Sequence, residues 1–253
     1  MTGFSAEWLA LRAPADDQAR DQGLIDTLLG WVGDRQLRIA DLGGGSGAAL
    51  RALSPVLPAG QDWQVFDYDA ALLSGVGDGA ETVVADLANS PETAFKKKPE
   101  LVTGFAFFDL TSGDWIERLA DFIAASGAAL YAPLTYDGLE TWLPTPAYEV
   151  EALAAFNRDM QRDKGFGPAL GADAAPKLAY AMKTRGYTVR KALSPWRLDR
   201  SQHGIMMDAL ANGGADALAT ALSEATLAEW HTGRLGAKTA EVGHIDVLAL
   251  PPG

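Results

Sequence analysis

Between residues 37 and 134 short apolar runs alternate with stretches of helical spacing, and this rhythm limits the chain more than any other feature. The runs are 37–42, 63–68, 82–85, 101–108 and 128–134; Leu24, Ile25, Leu28, Leu29 and Val32 form the stripe of a helix before the first of them. Strand and helix repeating at this interval predict a parallel sheet with crossover helices on both faces. The run 101–108 is nearly all apolar, as a strand covered on both sides requires. Later strands are predicted at 187–192 and 244–250, the last one antiparallel, with two helices across 203–232. The expectation is an α/β, Rossmann-like, doubly wound sheet of seven strands, mostly parallel, in one domain over 1–253. An N-terminal helical segment (1–34) and a helical insertion or lid after the fifth strand (137–171) complete it.

Chemistry concentrates where the first strand ends. Asp41-Leu42-Gly43-Gly44-Gly45-Ser46-Gly47-Ala48 leaves a strand and enters a helix, with more glycine than a plain turn needs. The spacing fits the dinucleotide pattern G-x-G-x-x-G/A, and Asp67 stands about 20 residues on, where an acid meets ribose hydroxyls. A nicotinamide-linked oxidoreductase is therefore one reading. Asp41 speaks against it, because a carboxylate two residues ahead of the loop repels a pyrophosphate and welcomes a cationic amine. A further acid, Asp86, followed by Leu87, closes the third predicted strand and suits an adenine amino group.

Together these residues, with Phe107-Phe108-Asp109 after the fourth strand, resemble a class I S-adenosylmethionine-dependent methyltransferase of the small-molecule branch. The resemblance covers roughly 35–135. It implies S-adenosylmethionine as cofactor, with Gly43, Gly44, Gly45 and Gly47 along its methionine part and Asp41 near its amino group. It further implies Asp67 on the ribose, Tyr68, Asp86 and Leu87 around the adenine, Phe107 beside the sulfonium and Asp109 on the acceptor side. The loop offers no cation for the cofactor carboxylate, and Arg20 is the residue expected to supply it.

For the acceptor, the string Asn157 to Pro168 puts polar groups on a helix before a Gly-Phe-Gly-Pro turn. Asn157, Arg162 and Lys164 are expected substrate contacts, with Trp142 and Phe166 as walls. Asp163, Tyr136 and His203 are the candidates for proton transfer; His231 is expected at a helix end and His244 at the mouth of the last strand in a structural role. No His/Asp/Glu spacing suggests a metal, and a protein that binds the cofactor without catalysis remains the third reading.

The 33 acids against 21 bases, a formal charge of −12, oppose a nucleic-acid or anionic-membrane partner. Cysteine is absent, which removes thiolate chemistry. No run approaches the ~18 apolar residues of a membrane span, and the first residues lack the pattern of a signal peptide. The expectation is a cytoplasmic enzyme acting on a small methyl acceptor. The acceptor's identity and the oligomeric state stay open.

Overall fold

A computed structural model describes residues 5–253; the first residues of the N-terminal segment, 1–4, on which the signal-peptide reading partly rests, lie outside the described residues. Two helices, α1 (Ala6–Ala19) and α2 (Gln22–Val32), precede the sheet. Ser5 and Asp21 cap them by accepting the N–H of Trp8 and Leu24, and Gly33 ends α2 at φ 57°. There follow β1 (Arg38–Leu42), α3 (Ala48–Leu53), β2 (Asp62–Asp67), α4 (Ala70–Leu73), β3 (Ala80–Val84) and β4 (Leu101–Thr103). The chain continues through α5 (Gly113–Ser126), β5 (Ala129–Leu143), α6 (Glu149–Met160), α7 (Ala174–Thr184) and β6 (Thr188–Leu193). It closes with β7 (Trp196–Asp199), α8 (Arg200–Leu218), α9 (Glu224–Gly236) and β8 (Thr239–Leu250).

The strands form one sheet in the order β3-β2-β1-β4-β5-β8-β6, with β7 also paired to β8. The first five run parallel, and β8 is antiparallel to β5, β6 and β7. Alternation along β1 sends Ile39 toward α2 and α3, and Ala40 and Leu42 toward α5 and α7, so each face has its own core. That is the doubly wound arrangement.

Four expectations need correcting. The sheet has eight strands among the described residues, because the short β7 follows β6 after the Ser194-Pro195 step. β4 spans only 101–103; Ala106 then takes φ 48°, and Phe107 and Phe108 lie on a bend and a short 3-10 turn instead of on the strand. Residues 137–143 are not insertion but the outer half of β5, which continues past bulges to pair with the early half of β8. His244 accordingly sits in the middle of β8, opposite Tyr136, not at its mouth.

The remaining part of the insertion, α6, packs on β5, α8 and α9 and is fastened by a buried hub. Arg234 on α9 pairs with Glu140 on β5 at 2.7 Å and with Glu149 on α6 at 2.5 Å. Its guanidinium lies 4.5 Å from the rings of both Trp142 and Trp230, whose indole N–H groups donate to the same two carboxylates. Trp142, expected as a substrate wall, is thus fully enclosed and belongs to this hub.

A second junction lies near the tip of the sheet. Asp246 on β8, fully buried, accepts the N–H of Asp21 at 2.9 Å, the N–H of Leu134 at 2.8 Å and the hydroxyl of Ser194 at 2.5 Å. It joins the start of α2, the bulge of β5 and the β6–β7 step. Among the described residues no helix is long and apolar enough to cross a membrane.

Candidate functional site at the carboxyl edge of the sheet

β1 delivers Asp41 to the sheet's carboxyl edge and the glycines bend the chain back over it. Gly43, Gly45 and Gly47 all have positive φ, 60°, 53° and 83°. A Cβ on Gly44 would stand 2.4 Å from Asp41 Oδ2 and 2.5 Å from Val65, so only glycine lets the loop lie this close to the acid. Asp41 has no exposed surface. Its Oδ1 accepts the hydroxyl of Thr103 at 2.8 Å, and its Oδ2 has no hydrogen-bond partner among the described residues. Burial pushes its pKa up to about 7, and Asp67 adds to the rise while the Thr103 bond opposes it.

Thr103 was not anticipated from the sequence. Its signal is a hydroxyl at the tip of an otherwise apolar strand, directly beside Asp41 in the β1–β4 register. Asp67, at the tip of β2, is buried and braces the loop: Oδ2 accepts the N–H of Gly45 at 2.9 Å and Oδ1 that of Asp69 at 3.0 Å. Each oxygen keeps a further lone pair for a ligand hydroxyl.

Other expected residues gather less closely. Tyr68 is half exposed beyond β2. Asp86 is exposed and spends its carboxylate on Asn89, accepting its backbone N–H at 3.2 Å and its side-chain amide at 2.7 Å. Leu87 is core, and its carbonyl accepts the indole N–H of Trp115 at 2.7 Å. Phe107 packs closely against the loop, because a Cβ on Gly43 would meet its ring at 2.4 Å, and forms an edge-to-face cluster with Phe108, Trp115 and Phe166. Leu9 of α1 lies over Gly45, so the glycine loop is covered from two sides. Arg20 bonds to Asp17 and rests over Phe105, just past Thr103.

Past β4, on the 3-10 turn, Asp109 is buried and its Oδ1 has no partner among the described residues. Burial pushes it up to about 6, against the pull of Arg12 and Lys164. Tyr136 donates to Asn157 Oδ1 at 3.1 Å, and the Asn157 amide donates to the Gly138 carbonyl at 3.0 Å, so these two are brought together. Burial raises the Tyr136 phenol far above its ordinary range, so the hydroxyl holds its proton. Asp163 is exposed and holds its own turn through the N–H groups of Gly165 and Gly167; Arg162 and Lys164 are drawn to Asp159. His203 accepts the N–H of Asp199 at 3.1 Å through Nδ1, a capping contact apart from the other candidates. His231 bonds to Asn212.

Sequence reading missed a cluster built from distant elements. The His244 ring lies 4.6 Å from that of Trp196 at a 54° tilt, with Tyr136, Trp8 and Phe156 extending the aromatic wall. Arg12 lies 5.0 Å over Trp196 and chelates Asp16 at 2.9 and 3.1 Å, while Trp196 donates to Asp16 at 2.9 Å. His244 Nδ1 and the Thr135 hydroxyl are buried without partners among the described residues. Burial and Arg12 lower the His244 pKa to about 3, so the ring is neutral at physiological pH. A wide cleft of about 730 Å³ lies elsewhere, between α3 and the turn after α4, and shares only Ser46 and Gly47 with the glycine loop. It holds none of these acids, so its volume does not mark the chemistry.

No protein-family model matches the chain, and no curated protein matches its sequence. Solved structures do match in shape. A methyltransferase candidate of Bacillus halodurans C-125 superposes with a TM-score of 0.53 at 12% identity, over 92% of this chain and 100% of that one. A cyclopropane-fatty-acyl-phospholipid synthase-like protein of Lactobacillus casei gives 0.51 at 14% identity, over 98% and 95%. The mycolic acid cyclopropane synthase CmaA1 gives 0.51 at 12%, over 97% and 100%. The chain has the Rossmann-like fold of the class I S-adenosylmethionine-dependent methyltransferases.

Proposed function

We propose that this protein is an S-adenosylmethionine-dependent methyltransferase acting on a small molecule. The observation that carries the reading is Asp41: a wholly buried carboxylate under the glycine shelf, with one oxygen held by Thr103 and the other unpartnered among the described residues. A buried acid of this kind repels a diphosphate and matches the ammonium of an amino acid. The neighbouring residues fit the rest of the cofactor. Asp67 has lone pairs left for two ribose hydroxyls, charge-assisted bonds that hold the sugar firmly. Arg20, resting over Phe105, is the proposed partner of the carboxylate.

Bound against these residues, S-adenosylmethionine would supply an activated methyl carbon for the acceptor's electron pair. The protein's part is alignment and exclusion of water. The aromatic cluster of Phe107, Trp115 and Phe166 and the cover of α1 serve the second task. Titration calorimetry with S-adenosylhomocysteine and with NADH tests the reading. Saturable heat with the first and none with the second is expected; the reverse pattern overturns it.

A further inference from the structure

Two buried acids, Asp41 and Asp67, stand at the tips of adjacent strands, and their bonding differs. Asp67 accepts two backbone N–H groups, from Gly45 and Asp69, one on each oxygen. Asp41 accepts a single hydroxyl, from Thr103 at 2.8 Å, and its Oδ2 accepts nothing among the described residues. Donors are what hold a negative charge inside a protein, and an enclosed carboxylate short of them takes up a proton.

The elements around Asp41 give it no ion pair among the described residues. From β2 comes the charge of Asp67, which opposes a second negative charge beside it. From β4 comes the Thr103 hydroxyl, and next in the same row β5 brings Tyr131, whose enclosed phenol is pushed far up and keeps its proton. Arg51 of α3 favours the charged acid, but its guanidinium is bonded to the Ser46 carbonyl. From α1 come Leu9, over the glycine loop, and just past its end Arg20, which pairs with Asp17. Burial outweighs the helpful contacts and pushes Asp41 up to about 7.

We propose that Asp41 is protonated in the ligand-free protein and gives up that proton to solvent when the ammonium of the cofactor's amino-acid end arrives. The site then exchanges one cation for another. The O–H bond of the carboxyl breaks with its pair staying on oxygen, and the proton passes to buffer. The ammonium keeps all its hydrogens and donates one of them to Oδ2. Acidification therefore loosens the amino-acid end of the ligand and leaves the nucleoside end alone. Below pH 7 the proton must be displaced on binding, so affinity climbs with pH toward 7 and is level beyond.

This inference rests on the methyltransferase reading, and one experiment separates the two. Calorimetry at pH 6 in phosphate and in imidazole, buffers of unequal ionisation heat, counts the protons released. S-adenosylhomocysteine should release ~0.9 proton per site, as an acid at about 7 requires, and bind ~8-fold more weakly at pH 6 than at pH 7.5. 5′-Methylthioadenosine, the same nucleoside and thioether without the amino acid, should release none and bind equally at both pH values. Asp41→Asn should abolish the release and flatten the pH dependence with S-adenosylhomocysteine.

S-adenosylhomocysteine bound without proton release overturns this proposal and leaves the methyltransferase reading standing. So does release that survives in Asp41→Asn, which assigns the proton to another acid such as Asp109. No binding of S-adenosylhomocysteine at either pH overturns both. Should Asp41→Asn fail to fold, the two ligands on the unaltered protein decide, and equal release by both overturns the proposal.

Discussion

Around Arg234 each buried charged or indole group has its partner; Asp41 near the end of β1, Asp109 on the turn after β4, Thr135 within β5 and His244 within β8 keep atoms without one among the described residues. The two regions are equally buried and similarly aromatic. They differ in whether the fold itself completes the bonding. A structural cluster closes its own account of donors and acceptors, because each orphan costs about 1–3 kcal/mol. A cluster left incomplete is stabilised only by something that arrives, which makes it the region to test with ligands.

The comparison breaks most visibly at Arg234. Arg234→Met strands Glu140 and Glu149 in an apolar interior, and the expected loss is ~3–5 kcal/mol in urea denaturation. A loss below ~1 kcal/mol removes the claim that this hub is structural. At the other pole, Gly44→Ala drives a methyl into Asp41 and Val65. Affinity for S-adenosylhomocysteine should fall about 100-fold, ~2.7 kcal/mol, by calorimetry.

Asp41→Asn sharpens the contrast, since its effects on binding and on stability oppose one another. Cofactor affinity should drop ~10-fold, yet the ligand-free protein should gain stability at high pH. The sign follows from linkage. Asp41 is held near 7 in the fold, above its ordinary 3.8, so the folded state keeps a proton that the unfolded chain has released. Stability from this group is greatest below about pH 4, falls as pH rises toward 7 and is level beyond. Comparing urea midpoints at pH 5 and pH 8 should show a smaller decline in Asp41→Asn than in the unaltered protein. An equal decline in both means the acid is not buried as described. The smallest effect is expected at His203, whose capping contact is worth ~1 kcal/mol or less; His203→Ala should leave ligand binding unchanged. Weakened binding there places this histidine back in the site.

What could be read from the sequence was local. The strand–loop–helix passage 38–53, the acids at the ends of β1 and β2 and the two-sided burial of the central strands are legible in the sequence itself. The misjudged parts depend on partners far along the chain. Trp142 looks like a wall residue until Arg234, 92 positions later, covers it. The outer half of β5 reads as irregular because bulges interrupt its alternation, and only the facing half of β8 makes it a strand. The apolar stretch 101–108 hides a bend, since nothing in its composition signals the positive φ of Ala106. His244, Thr135 and Arg12 could not be grouped from sequence, because α1, β5 and β8 meet only in the finished fold.

The carboxylate of Asp246 ties that meeting to the order of synthesis. β8 is translated after every other strand, yet it lies between β5 and β6, and its acid is what the start of α2, the bend of β5 and Ser194 all bond to. On the ribosome, β1 to β5 can assemble while the flank of β5 waits unpaired until residues 239–250 emerge. A nonsense codon shortly before them removes a keystone instead of a fringe, and the truncated product would present a long adhesive strand to its neighbours.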